Sequence, residues 1–280
     1  VVLRFAESIG VIDAAGLSHR KIHNEAKPRL GGIAISISFF VPLLGLMVYE
    51  TKVGNHVVDN PTLIIGFLVG GLMITALGVC DDIYGLSAKS KFTGQIIIAT
   101  IVSAVGFNIP SVDLPFLAPI QLGYFGYAAA VFWIVAITNA VNLVDGLDGL
   151  AAGISLIALT PLTVIALMES NMIMALICFT LTGSLLGFLI FNFHPARIFM
   201  GDSGSLFLGY ILAIVSVHTA TKGGSVVVIL TPLLALGLPI LDTSLAIARR
   251  AWFGLPLFSG DQNHIHHKLM ATGMSHRGTV

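Results

Sequence analysis

The chain alternates between long apolar runs and short polar segments. An α-helix needs about 20 mostly apolar residues to cross the hydrocarbon core of a bilayer, with a range of about 17 to 25. Runs near that length predict about eight spanning helices, and the third, fourth and seventh are short, so their ends are the least defined. The runs are Leu30–Val48, Leu63–Cys80, Phe92–Phe107, Phe125–Ile137, Leu150–Met168, Met172–Phe193, Leu206–Ala220 and Val226–Ala248. The pattern therefore predicts an all-α, polytopic integral membrane helix bundle.

The basic residues between these runs lie almost entirely on one side of the predicted membrane. Of the 14 Lys and Arg residues, the other side holds only Lys52 and Lys222. Short loops rich in Lys and Arg stay in the cytoplasm, so the basic side is predicted to be cytosolic. Its residues are Arg4, Arg20, Lys21, Lys27, Arg29, Lys89, Lys91, Arg197, Arg249, Arg250, Lys268 and Arg277.

Composition supports a membrane protein and excludes other classes. Apolar residues make up 56% of the 280 residues and charged residues only 10%, whereas about 25% of a soluble domain is charged. Basic and acidic residues number 14 each. The chain therefore lacks the excess of basic residues that would indicate a nucleic acid partner. Cys80 and Cys178 lie in apolar runs and are expected to pack there rather than form a disulfide or a zinc site. The expected organisation is a cytosolic segment 1–29, a transmembrane bundle 30–250 with cytosolic loops, and a cytosolic segment 251–280.

Carboxylates cluster in the predicted cytosolic segments. Asp81 and Asp82 follow the second apolar run directly. Two adjacent carboxylates repel each other, so a nearby cation or a shared proton is expected, and Lys89 and Lys91 are close enough in sequence to supply the charge. The pair is therefore either a solvated helix end or part of a phosphate and metal site with one acid held for proton transfer.

A second cluster combines amides, carboxylates and glycines. Asn139, Asn142, Asp145 and Asp148 recur every three residues in TNAVNLVDGLDGL. On an ideal helix the last three would cover an arc of about 120°. The glycines in the same stretch make a bent or broken helix end an equal alternative. A simple turn rich in Asp and Gly is the remaining interpretation.

A third cluster surrounds Asp202 in FMGDSGS, just before a predicted helix. The N-terminus of that helix could face an anion. Oxygen ligands such as Asp202 and Asn142 suit Mg²⁺, which usually keeps several waters and shares substrate phosphates. Phe199 would either offer a flat face to a base or anchor the chain at the membrane interface.

Two further features allow more than one interpretation. His264, His266 and His267 in DQNHIHHKL resemble a zinc site at first, but no cysteine is near in sequence. Hydrogen bonds from these imidazoles to phosphate or sugar fit better. Asp242 lies inside the last apolar run, where an ionisable residue is costly, and structural and functional roles are equally supported.

Five blocks of the chain, in this order, resemble those of the polyprenyl-phosphate N-acetylhexosamine-1-phosphate transferases. That family includes bacterial undecaprenyl-phosphate GlcNAc-1-phosphate transferases, phospho-MurNAc-pentapeptide transferases and the eukaryotic dolichol-phosphate enzyme. The blocks are KPRLGG (Lys27–Gly32), DD (Asp81–Asp82), NAVNLVDGLDGL (Asn139–Leu150), FMGDSGS (Phe199–Ser205) and HIHH (His264–His267). The last block resembles the GlcNAc-1-phosphate branch, which begins O-antigen, enterobacterial common antigen or wall teichoic acid linkage units.

The resemblance implies that GlcNAc-1-phosphate passes from UDP-GlcNAc to undecaprenyl phosphate, with release of UMP, as the first step of lipid-linked envelope polysaccharide synthesis. It places the active site at the cytosolic face of a bacterial inner membrane and implies Mg²⁺ as cofactor, with Mn²⁺ as a substitute. Another UDP-sugar, such as UDP-MurNAc-pentapeptide, is the alternative donor. A membrane transporter is a remote alternative, because the polar clusters lie at one face and the chain shows no related halves.

The resemblance also bears on the extent and assembly of the chain. Family members have ten or eleven spanning helices, so we expect one helix before Val1 and one or two after Val280 to be missing. The assembly state is open, and a homodimer is one alternative. Whether the lipid phosphate attacks directly or an Asp forms a covalent intermediate is also open.

Matching positions imply roles for individual residues. Asp202 would be the principal metal ligand and Asn142 the second. Asp81 would orient the lipid phosphate or accept its proton, with Asp82 in support. The remaining positions are expected to bind substrate: Lys89 and Lys91 at phosphate, Phe199 and Asp148 at uridine, Asp145 by organising that loop, Asn139 without a finer role, His264, His266, His267 and Arg197 at the pyrophosphate and sugar, and Lys27 and Arg29 as guides at the entrance.

Overall fold

A computed structural model describes residues 12–13, 27–48, 54–55, 58–112, 120–223, 237 and 252. Seven long helices make up most of this part of the chain. They are α1 (Gly31–Val48), α2 (Pro61–Tyr84), α3 (Ala88–Val105), α4 (Phe125–Val144), α5 (Leu150–Met168), α6 (Met172–Asn192) and α7 (Gly201–Gly223). Two antiparallel pairs of two-residue strands accompany them: β1 (Ile12–Asp13) with β2 (Lys27–Pro28), and β3 (Ser111–Val112) with β4 (Ile120–Gln121).

Seven of the eight predicted runs coincide with these helices, and the eighth, Val226–Ala248, lies outside the described residues except for Gly237. Six helices are long and apolar enough to cross a bilayer: α1, α2, α4, α5, α6 and the Gly201–Thr219 part of α7. The first turn of α3 is polar because it begins AKSK. The prediction of a multi-pass helical membrane protein is confirmed, and the short strands are an addition that the apolar pattern does not indicate.

Helices α4 and α7 extend farthest beyond the predicted runs, both at the end of the bundle that carries the polar clusters. Helix α4 continues past Ile137 to Val144, and α7 begins at Gly201 rather than at Leu206. The extension of α4 carries Asn139 and Asn142, whose amides hydrogen-bond to neighbouring helices. A polar residue can therefore continue a spanning helix where a partner side chain satisfies it.

Helix α7 is the central helix of the described bundle. It packs against α1, α2, α4, α5 and α6, and most residues of its Gly201–Thr219 part are buried. The Tyr210 hydroxyl donates a hydrogen bond of 2.8 Å to the Gly66 carbonyl, at a π-helical turn of α2. A π turn interrupts the regular backbone hydrogen bonds of an α-helix, so the Gly66 carbonyl there is stabilised by a donor from another helix. Because α7 touches five helices, its first turn is where several helix ends can meet.

The outer surface of the bundle is apolar. Large side chains on several helices point away from the protein, among them Ile97, Phe132 and Ile190. Both cysteines are free thiols; Cys178 is buried, whereas Cys80 is exposed on the outer surface. The expectation that both pack inside the protein is therefore wrong for Cys80, because its position on α2 turns away from α7.

Candidate active site

The first turn of α7 is the point at which the polar blocks of the sequence meet. The amides of Gly31 and Gly32, at the start of α1, donate to the carbonyls of Phe199 and Met200 at 3.0 and 2.8 Å. Gly201 has φ +71°, and a Cβ there would clash with the Asp82 carboxylate and the Arg29 carbonyl. Glycine is required at this position because no other residue fits both the backbone conformation and the space. The KPRLGG and FMGDSGS blocks are thus joined by backbone contacts.

Asp82 caps the N-terminus of α7. Its Oδ1 accepts a hydrogen bond from the Asp202 amide at 2.8 Å, and its Oδ2 accepts one from the Ser203 amide at 3.0 Å. The first amides of a helix have no partner within the helix, and a carboxylate placed there also interacts favourably with the helix dipole. Asp82 therefore holds the backbone of Asp202 in place, and both of its oxygens are used in doing so.

Lys91 joins two carboxylates from different helices. Its Nζ donates to Asp81 Oδ2 at 2.7 Å and also to Asp202 Oδ2. The other oxygen of Asp81 accepts a hydrogen bond of 2.7 Å from the Leu86 amide, which shapes the turn between α2 and α3. The cation that the adjacent acids require is thus supplied by Lys91, and Lys89 is exposed on the surface instead.

Asn142 completes the surroundings of Asp202. Its Nδ2 donates to Asp202 Oδ1 at 3.0 Å and to Ser205 Oγ at 2.8 Å. Carboxylates from α2 and α7, an amide from α4 and an ammonium from α3 therefore converge at one end of the bundle. We call Asp81, Lys91, Asn142 and Asp202 the carboxylate cluster.

The donors of the carboxylate cluster suit a divalent cation that is shared with substrate phosphates. Within the described residues, no three His, Cys, Asp or Glu side chains come together as a metal-binding group. Mg²⁺ is usually held by one or two carboxylates plus waters and phosphates rather than by a closed protein cage. The oxygens of Asp202 and Asn142 fit that mode.

Asp145 lies just beyond the end of α4 and is partly exposed. Burial raises the pKa of the Asp145 carboxyl to about 8, and the Asp202 and Asp82 carboxylates act in the same direction, while Arg29 opposes them. Near neutral pH this carboxyl therefore carries a proton for a large part of the time, and added positive charge nearby would favour its ionised form.

A second polar cluster joins the loop after α4 to the segment before α7. Asp148 is 3% exposed, and its Oδ2 pairs with His194 Nδ1 at 2.9 Å and with the Ala196 amide at 3.0 Å. The Asn192 side chain accepts from the Gly149 amide and donates to the Ile198 carbonyl. Asp148, predicted to contact uridine, here contacts the segment that leads to Phe199.

The other predicted residues are spread around these clusters. Lys27 lies over the Phe199 ring, 5.4 Å from its centroid, and Arg197 is exposed. Asn139 pairs with Gln95 rather than with the carboxylate cluster. His264, His266 and His267 lie outside the described residues.

Gln95 and Asn192 were not identified from the sequence, and Ser205 was included only as the last residue of the FMGDSGS block. Each is a polar residue inside or at the end of an apolar helix, and that is the signal which marks it. Gln95 and Ser205 pair with amide side chains of α4, and Asn192 pairs with backbone groups of two loops. Sequence spacing therefore gave no indication of the pairs.

The sequence of this chain matches that of known proteins over most of its length. The sequence profile of glycosyl transferase family 4 matches residues 64–220. Over its whole length the chain is 42% identical to a probable undecaprenyl-phosphate N-acetylglucosaminyl 1-phosphate transferase of Bacillus subtilis, of which it covers 75%. The chain belongs to glycosyl transferase family 4. This confirms the resemblance found in the sequence.

Other relatives of this family 4 protein have names that describe different activities. A decaprenyl-phosphate N-acetylglucosaminephosphotransferase of Mycobacterium tuberculosis is 34% identical over 93% of the chain, which covers 70% of that protein. A phospho-N-acetylmuramoyl-pentapeptide-transferase of Listeria monocytogenes is 36% identical over 78% of the chain, which covers 67% of it. The residues matched by the family profile include the whole carboxylate cluster.

Proposed function

We propose that this family 4 protein transfers GlcNAc-1-phosphate from UDP-GlcNAc to undecaprenyl phosphate and releases UMP. The observation that carries the proposal is the carboxylate cluster, which lies at one end of an apolar helix bundle. A lipid phosphate has an apolar tail and an anionic head, so helices that face lipid can accommodate the tail while a polar helix end holds the head. The identities to undecaprenyl- and decaprenyl-phosphate GlcNAc transferases support this choice of substrates.

The reaction joins an oxygen of the lipid phosphate to the sugar-linked phosphorus of the UDP-sugar, and the bond from that phosphorus to the UMP oxygen breaks. Phosphoryl transfer depends mainly on positioning and on neutralising charge. Asp202 and Asn142 would hold Mg²⁺, or Mn²⁺ in its place, which supplies positive charge to the phosphate oxygens. Lys91, which lies beside Asp202, would supply a second positive charge to the phosphates.

Asp81 is placed to handle the lipid phosphate. One of its oxygens is held by the Leu86 amide, and the other faces Lys91. A phosphate monoester has a second pKa near 6 and keeps a proton part of the time at neutral pH. Asp81 Oδ2 would accept that proton or hold the phosphate in line for attack. Asp82 serves this step indirectly by fixing the start of α7.

The proposal is tested by the reaction itself, with membranes that contain this chain. Undecaprenyl phosphate, Mg²⁺ and radiolabelled UDP-GlcNAc should give labelled lipid and an equal amount of UMP. Product with UDP-MurNAc-pentapeptide but not with UDP-GlcNAc would keep the reaction and change the donor. Uptake of a UDP-sugar into vesicles without labelled lipid would instead support a transporter and overturn the proposal.

We further propose that the site faces the cytosol of a bacterial inner membrane. The excess of Lys and Arg at the site end of the helices supports this orientation. A reporter enzyme fused after Thr51 should be active only outside the cytoplasm, and one fused after Ser87 only inside, as periplasmic alkaline phosphatase and cytosolic green fluorescent protein fusions would show. The reverse pattern would contradict the orientation.

A further inference from the structure

A pair of side-chain amides lies next to the carboxylate cluster, inside the bundle. Gln95 Nε2 donates to Asn139 Oδ1 at 3.5 Å, and Asn139 Nδ2 donates to Gln95 Oε1. Gln95 is on α3 and Asn139 is on α4. Gln95 is only 2% exposed and Asn139 is partly buried, so the pair lies largely inside the protein.

The contacts of Asn139 are directed into the protein. Besides Gln95, its Nδ2 donates to the Val135 carbonyl at 2.8 Å, so both hydrogens of this group have acceptors. A buried amide without partners loses the hydrogen bonds that water would provide, so breaking the pair is unfavourable. Asn139 is therefore better suited to hold Gln95 than to bind substrate.

The positions of the two amides along their helices connect them to the cluster. Gln95 follows Lys91 by four residues on α3, and Asn139 precedes Asn142 by three on α4. Residues three or four apart lie on the same face of a helix. The amide pair is therefore one helical turn below Lys91 and Asn142, the two residues that reach Asp202 from these helices.

The amide pair affects the position of Lys91 because Lys91 and Asp202 lie on helices that do not pack closely together. Helix α3 packs against α4 and α2, whereas Asp202 belongs to α7. The rotation and height of α3 against α4 thus determine where the Lys91 ammonium lies relative to Asp202. An apolar contact has no preferred direction, but a reciprocal amide pair has defined donor and acceptor positions and so favours one register.

We propose that Gln95 is a positioning residue: through its hydrogen bonds to Asn139, it holds Lys91 on Asp81 and Asp202. It does not touch the reacting groups itself. The structural part of this inference is independent of the reaction, and only its kinetic consequence rests on the proposed function.

The first test measures the environment of Lys91 without any reaction. The purified chain in detergent is labelled with an amine-acylating reagent, and the rates at Lys91 and Lys89 are measured by mass spectrometry. In Gln95→Leu, labelling of Lys91 should rise at least about fivefold, because its ion pairs loosen. Labelling of the exposed Lys89 should stay the same and serves as the internal reference. An unchanged Lys91 rate in folded Gln95→Leu would overturn the proposal.

The second test measures turnover. Gln95→Leu should lower kcat by about 10- to 100-fold, the range for loss of a group that orients a metal-site residue, with the KM for UDP-GlcNAc changed less. Ser103→Ala is the matched control, because Ser103 also bonds α3 to α4, through the Tyr127 carbonyl at 3.4 Å, but two turns farther from the cluster. Ser103→Ala should keep kcat within twofold; an equal loss in both variants would indicate a general packing effect and contradict the proposal.

Two combined variants complete the test. In the Lys91→Met background, Gln95→Leu should lower kcat by less than twofold more, because its effect passes through Lys91. Exchange of the two amides, Gln95→Asn with Asn139→Gln, should restore the slow labelling of Lys91 and most of kcat. This exchange variant also tests the proposal if Gln95→Leu does not fold. Additive losses, or rapid Lys91 labelling in the folded exchange variant, would overturn the proposal. If the wild-type chain shows no transfer at all, the proposed function fails while the labelling experiment still decides the role of Gln95.

Discussion

Asp202→Asn is expected to lower kcat by more than about 100-fold. Mutation of a residue that only hydrogen-bonds to a metal ligand lowers activity by about 10- to 100-fold, and loss of the ligand itself should cost more. Asp202 accepts hydrogen bonds from Lys91 on one oxygen and from Asn142 on the other, and it carries the negative charge that a hard cation needs. An amide at this position is neutral, and its NH2 group would face another hydrogen-bond donor, either the Lys91 ammonium or the Asn142 amide. Transfer of label from UDP-GlcNAc to undecaprenyl phosphate measures the loss.

The cause of this loss can be separated from misfolding. Binding of Mn²⁺, followed by electron paramagnetic resonance in detergent, should weaken in Asp202→Asn while its Tm stays close to that of the wild type. Asp59→Asn makes the same chemical change in an exposed residue just before α2 and should alter neither quantity. Normal turnover with an unchanged dependence on Mg²⁺ would remove Asp202 from the metal site.

Asp81→Asn is expected to lower kcat by about 10²- to 10⁴-fold, the usual contribution of a general acid or base, with little change in the KM for UDP-GlcNAc. An amide keeps the oxygen that accepts from Leu86, so the turn between α2 and α3 is preserved. It loses the charge that faces Lys91 and the ability to take a proton. Steady-state kinetics with both substrates varied would measure the two parameters separately.

A comparison with the neighbouring carboxylate makes the test of Asp81 sharper. Asp82→Asn replaces one of the two oxygens that cap α7 with a donor that faces a backbone amide, so its Tm should fall by several degrees. Asp81→Asn should leave the Tm almost unchanged. A large rise in KM with kcat intact would make Asp81 a binding residue instead of an acid or base.

The helices were largely predictable, because burial in lipid imposes a simple rule on the sequence. Leu150–Met168 is bounded in the structure as the apolar pattern predicts. The prediction ended α4 too early, at Ile137, and began α7 too late, at Leu206. Both differences lie where polar side chains are satisfied by other helices, and such partners cannot be seen in a hydropathy pattern.

The candidate site was predictable as a set of polar blocks but not as a set of contacts. Lys89 and Lys91 are equivalent in the sequence, yet Lys91 reaches Asp202 and Lys89 faces outward, because they lie about 200° apart around α3. Asp81 and Asp82 are adjacent, yet one faces a lysine and the other caps α7. The same geometric reason separates both pairs: neighbouring residues on a helix point in different directions.

A multi-pass helical membrane protein of glycosyl transferase family 4, with its polar residues concentrated in a few blocks, is already specified at the level of the sequence. These features follow from residue type and order, since apolar length specifies a membrane helix and motif order specifies a family. The folded arrangement of the helices and loops, in contrast, brings Asp82 to the start of α7, Asp148 to His194 and Gln95 to Asn139. Each of these contacts joins residues from separate segments of the chain, so helix packing rather than local sequence determines which polar groups meet.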